Sequence, residues 1–287
     1  MPFLATLQRT WQLTRASWTV LREDREVLAF PLLSGFCCLL IAASFILPIY
    51  HFNLWTLAVS YTEPSAGETT LWLYGLLFLF YLGTYFITTY FNAALMACAT
   101  LHMIGRPATV EDGLRIANRR IGAILGWAFI SATVGVVLQA VQERASWLGS
   151  LLVGLAGLAW ALASFLVVPV IVVEDCTARE ALKRSTTLIR QTWGEQVTLN
   201  VGFGLLTALV ALPFVAVVAV VWVSAPQSAL AYGVSLLAGA AYIAATVVVT
   251  ALQSIFRSAL YLYVRHDRVP FGFTAASLGD AVEPRTS

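Results

Sequence analysis

Residues 174–194, EDCTAREALKRSTTLIRQTWG, form a charged island between two long apolar runs, and the reading of this island decides the fold. Thr177 and Glu180 stand at capping-box spacing, and Ala178, Ala181, Leu182, Ser185, Leu188 and Ile189 recur behind them at helical intervals. The other face carries Arg179, Lys183, Arg184 and Arg190. This pattern predicts an amphipathic helix lying on a lipid surface with its cations among the headgroups.

On either side the chain is too apolar for a soluble domain. Hydrophobic residues make up 59% of the 287 positions and charged residues only 11%, where soluble domains carry roughly a quarter charged. About 20 apolar residues suffice to cross roughly 30 Å of hydrocarbon as a helix. Six runs reach that length: 30–50, 71–104, 121–142, 148–173, 197–223 and 230–264. The second, at about 1.5 Å per residue, is long enough that it must tilt or project beyond the bilayer. Charged residues before residue 28, with no cleavage site after the first run, predict that this run is retained.

Two further stretches resemble the island. Residues 3–26 place Leu4, Leu7, Trp11, Trp18 and Leu21 on one side and supply Arg9, Arg15, Arg22 and Arg25. Thr109 to Asp112 opens a short basic helix with Arg115, Arg119 and Arg120. The expected fold is therefore an all-α membrane protein with six transmembrane helices as three hairpins, each preceded by an amphipathic cytoplasmic interfacial helix. Its parts are an N-terminal interfacial segment (1–27), a six-span domain (28–264) and a cytoplasmic tail (265–287).

Charge sets the orientation. Of the 17 Lys and Arg, four precede the first span, four lie between spans two and three, four between spans four and five, and four from Arg257 onward. Arg144 alone occupies the opposite loops. By the positive-inside rule both termini are cytoplasmic, and six crossings agree with that. The same bias accounts for the basicity without a nucleic-acid partner. The basic residues Arg115, Arg119, Arg120, Arg179, Lys183, Arg184 and Arg190 are candidate contacts for anionic lipid. Glu111–Arg115 and Glu180–Arg184 are expected as i,i+4 pairs.

No catalytic motif is present. Cys37, Cys38, Cys98 and Cys176 show no C-x-x-C spacing, and His51, His102 and His266 belong to no metal or nucleophile motif, so neither a metal nor a cofactor is expected. Polar groups in hydrocarbon tend to face a bundle interior or a wet cavity. Asn92, Asn200 and Gln253 fall toward the cytoplasmic ends of spans two, five and six, with Glu195 and Arg257 slightly nearer the surface, and the five form a candidate polar layer. Such a layer serves either helix association or a vestibule for a small polar or amphipathic ligand. Gly122/Gly126, Ser131/Gly135, Ser150/Gly154 and Ser235/Gly239 are small pairs that predict close helix packing, within one chain or between copies. Pro213 predicts a kink in span five.

Two segments, WQLTRASWTVLREDREVLAFPLLSG (11–35) and PVIVVEDCTAREALKRSTTLIRQTWG (169–194), resemble a bacterial family of uncharacterised six-span integral membrane proteins. Pro169, Glu174, Ala181, Arg184, Ser185 and Trp193 are also similar to the membrane part attached to some glycerophosphodiester phosphodiesterases, whose catalytic barrel is absent from this sequence. The first resemblance implies a bacterial cytoplasmic membrane and no established activity. The function expected is that of a non-enzymatic accessory, scaffold or membrane-organising protein, with lipids, a second copy or a membrane partner as its companions. A small transporter or lipid-handling protein using the polar layer is one alternative, and an intramembrane lipid-modifying enzyme another.

Overall fold

The computed structural model describes residues 14–23, 25–51, 67–191, 196–224, 228–266 and 269–273. Among these, every regular element is a helix. Helix α1 covers residues 14–23 and is followed by a 3-10 turn, Arg25–Leu28. Then come α2 (Ala29–His51), α3 (Gly67–Met103), α4 (Val110–Arg119), α5 (Ile121–Arg144) and α6 (Trp147–Ala163). The last are α7 (Val167–Val173), α8 (Ala178–Gln191), α9 (Gln196–Ser224) and α10 (Ala229–His266).

Five stretches have the length and composition of membrane spans: Glu26–Pro48, Tyr74–Met103, Ile121–Arg144, Trp147–Val173 and Ala229–Arg265. Helix α9 adds a shorter apolar stretch, Ala208–Ser224, and continues past Pro213. Together they point to a multi-pass membrane protein. Exposed side chains agree, since Leu39, Leu152, Leu236 and Val223 are each more than three-fifths open. In water that much apolar surface would be untenable.

The chain divides into two compact units, and α3 and α8 each contribute to both. Ala29–Ala97 and Glu111–Thr186 make one. Its core gathers the Ala93–Ala97 stretch of α3, Ile124, Trp127, Ala128, Ser131 and Ala132 of α5, and most of α7. Trp127 stacks on Trp160 at 5.5 Å between ring centres. Away from this core, Phe78 meets Phe129 edge-on at 5.4 Å, and the Tyr74 hydroxyl donates to Glu143 at 2.8 Å. The long second run is largely enclosed by protein from Thr89 to Ala99.

The other unit comprises the described parts of Met1–Leu28, Cys98–Val110 and Thr187–Ser287. Helix α3 ends in it on Gly105, whose φ of 80° suits glycine. The Gly105 N–H bonds the His102 carbonyl and the Arg106 N–H the Leu101 carbonyl, a Schellman closure. Helix α10 is buried from Ala251 to Leu262 except at two positions, while its first half is largely open. Val20, Leu21 and Phe273 are also buried here. Gly272 carries φ 84° and presses so close to Val20 that a Cβ would sit 2.8 Å from its Cγ2. The start of the tail is therefore packed; residues 274–287 lie outside the described residues, as do residues 3–13 and the link 52–66.

Four expectations change. The run 148–173 is not one helix: α6 ends at Ala163 and α7 begins at Val167. Pro169 explains this, since it has no N–H for the carbonyl four residues back and its ring crowds that position. Second, the small-residue face of α8 does not meet lipid. Ala178, Ala181, Ser185 and Ile189 are buried in protein, because short side chains allow close approach rather than deep insertion into acyl chains. Third, Glu180 does not pair with Arg184. Its carboxylate accepts from the Thr177 N–H (2.9 Å) and hydroxyl (3.1 Å) in the expected capping box, and Arg184 pairs with Glu174 instead. Fourth, a Cβ at Gly122, Gly154 or Gly239 would meet no described atom within 4 Å, whereas Gly126 does approach Ala178 and Gly135 approaches Tyr85. Ser150 and Ser235 serve as hydrogen-bond partners, to Gln142 and Trp222.

Candidate functional site

The break between α6 and α7 organises the basic end of the first unit. Ser185, fully buried on α8, inserts its hydroxyl into the break. It donates to the Ala163 carbonyl at 2.7 Å and accepts from the Leu166 N–H at 3.2 Å. One side chain thus satisfies two main-chain groups that the interrupted helix leaves over. The connection 174–177 is in turn held by Glu174–Arg184, by Asp175–Arg120 and by the Thr177–Glu180 cap. In the cap the main-chain N–H of Thr177, then its hydroxyl, hold the Glu180 carboxyl below its ordinary range.

Between this connection and the start of α5 opens a cleft of about 660 Å³. Arg119, Arg120, Arg179, Asp175, Cys176 and Glu180 line it together with Gly122, Ala123, Gly126, Phe129 and Ile130. Burial pushes the Cys176 thiol above its usual value, so it is held protonated.

The seven candidate lipid contacts divide by partner. Arg115 is tied to Glu111 at 2.7 Å and to Asp112 at 3.4 Å, Arg120 to Asp175, and Arg184 to Glu174. Lys183 is exposed but not free of interaction. Arg119, Arg179 and Arg190 are exposed, and among the described residues none of them has a carboxylate within ion-pair distance.

Of the polar layer, two residues can be placed together. Gln253 and Arg257, four apart on α10, are the two positions between Ala251 and Leu262 that are not buried, and they share one half-open strip. Asn92 is half-buried in the other unit and engaged in an interaction of its own. Glu195 and the side chain of Asn200 lie outside the described residues.

A second cavity, about 780 Å³, lies in the other unit among Arg22, Glu23, Glu26, His102, Arg106 and Phe271. His102 Nε2 is 3.2 Å from a Glu23 carboxylate oxygen, and the ring meets Phe271 edge-on at 6.3 Å. Sequence reasoning did not find this pair. The partners are 79 residues apart, and only the turn that brings Phe271 back against Met103 closes the pocket around them. A carboxylate-oriented imidazole can move a proton. Among the described residues, no three His, Cys, Asp or Glu side chains gather as metal ligands.

Residues 72–271 match the model of a family of unknown function, DUF6159, and the chain belongs to that family. The match includes 169–194 and begins beyond 11–35. No curated protein and no solved structure matches the chain.

Proposed function

We propose that this member of DUF6159 is a six-span protein of a bacterial cytoplasmic membrane, with both termini inside, acting without catalysis as an accessory, scaffold or membrane-organising protein. One observation carries this most directly. The short basic segments around α4 and α8 are fixed to the protein by their small buried faces, Gly113 and Ala117 on one and Ala178, Ala181 and Ser185 on the other. Their outward guanidinium groups at Arg119, Arg179 and Arg190 keep no carboxylate partner among the described residues. Each cation near an anionic leaflet contributes about 1 kcal/mol, so together they favour a firm hold on inner-leaflet lipid. The distribution of Lys and Arg along the sequence supports the orientation.

A reporter fused after Ser287 tests the topology: activity on the cytoplasmic side is expected, and activity outside the cell overturns it. Purification in lipid nanodiscs tests the role. Stable co-purification of a membrane protein, or of the chain with itself, is expected.

The half-open strip of Gln253 and Arg257 favours a second reading, a lipid-handling or small transport protein. Gln253→Leu separates the two. A lost ligand-dependent rise in melting temperature favours handling, and altered stability alone favours helix association.

A further inference from the structure

We propose that the cleft between the start of α5 and the α7–α8 connection binds one anionic phospholipid, its phosphate held by Arg119 and Arg179 and an acyl chain laid along the furrow at Gly122. The proposal rests on the membrane reading above and deepens it, turning a diffuse basic surface into a defined site.

The lining combines the two chemistries of a phospholipid. Arg119 and Arg120 stand just before α5, which continues from them as an apolar helix with Ile121, Leu125 and Phe129 about half exposed. Gly122 leaves a furrow beside that apolar row, with no described atom within 4 Å of where its Cβ would stand, and Gly126, packed against Ala178, closes its far end. Charge is uneven in a telling way. Both carboxylates in the cleft already have partners, Asp175 with Arg120 and Glu180 with the Thr177 cap. Arg119 and Arg179 do not, among the described residues, and an ordered phosphate would accept from both. A volume of about 660 Å³ is in the range of small-molecule sites, enough for a headgroup with the first part of a chain.

Cys176 lines the same cleft and serves as the reporter. The full chain is placed in nanodiscs of phosphatidylcholine, with or without phosphatidylglycerol. Maleimide labelling of the Cys176 peptide is followed by mass spectrometry, above neutral pH because burial raises this thiol. Phosphatidylglycerol is expected to slow labelling by on the order of tenfold, the factor for a site occupied about ten times as often as it is empty. Arg119→Gln with Arg179→Gln abolishes the protection, and lysine at both positions keeps it. Gly122→Leu, which enters open space, abolishes it by filling the furrow while the melting temperature stays unchanged. Equal labelling in both lipids overturns the proposal. So does protection by inorganic phosphate in phosphatidylcholine discs, which would mark a free-anion site. Retention of the protein in alkali-washed membranes is scored separately: a chain that washes out removes the membrane reading itself, whereas a retained chain with an unprotected Cys176 removes only the lipid site.

Discussion

Helices α6 and α7 come from one apolar run and end in opposite surroundings. None of the 17 residues of α6 is buried, and Leu148, Leu152 and Leu155 are each more than three-fifths exposed. In the seven-residue α7, Val167, Pro169, Val170, Ile171 and Val172 are all buried. Hydropathy cannot separate the two, because lipid and protein interior are equally favourable for a valine or leucine. What separates them is a proline that breaks the ladder and a serine that fills the break. A lipid-facing helix must satisfy all its own main-chain groups, whereas α7 can borrow a partner from α8 because it is enclosed by protein.

The sharpest way to break this contrast is one large-to-small change in each piece. Ile171→Ala in α7 is expected to cost about 2–5 kcal/mol through lost packing and a cavity. Leu152→Ala in α6, facing lipid, is expected to stay within about 0.5 kcal/mol. Equal losses, measured by reversible unfolding in detergent micelles, would mean that the Leu152 face of α6 also has a protein partner. Ser185→Ala comes next in size. It leaves the Leu166 N–H and the Ala163 carbonyl without their buried partner, at about 1–3 kcal/mol. Faster amide exchange at Leu166, with little change along α6, should accompany it. A neutral Ser185→Ala would show that the break stands on Pro169 alone.

How far the sequence reaches follows from the same contrast. The long helices α2, α3, α5, α9 and α10 are legible from runs of 20 or more apolar residues, and the Thr177–Glu180 cap from its spacing, because both are local properties of the chain. Pro169 was visible as well. Its effect was masked by the apolar residues on both sides, which read as one continuous span. The role of Ser185 depends on a partner 19 residues earlier, and that of Glu23 on His102, 79 residues later. No periodicity encodes such meetings. The face of α8 is ambiguous for a related reason: Ala, Ala and Ser at helical spacing are compatible with a lipid surface or with a tight protein contact, and only the neighbouring helix decides. Among the lipid-contact candidates, charge alone ranked Arg184 with Arg179. The structure separates them, because only the former has Glu174 beside it.

The smallest expected effect concerns how α8 is started, and hence how Ser185 is carried into the break. Glu180 closes the capping box, and the Thr177 N–H and hydroxyl both favour its charged form, so its folded pKa lies below its unfolded value. A carboxyl shifted in that direction adds stability above the unfolded value, and the contribution disappears as pH falls through the folded one. Glu180→Gln keeps a side chain able to close the box but cannot titrate there. At neutral pH the wild type should therefore melt slightly above Glu180→Gln, and the gap should close as the buffer passes below about pH 4, the ordinary carboxylate range. Leu152→Ala, on the lipid-facing piece, should leave that pH dependence unaltered. A gap that stays constant down to acid pH would mean that the amide closes the turn no less well than the carboxylate, and that the start of α8 is held by its buried Ala178 and Ala181 face rather than by charge.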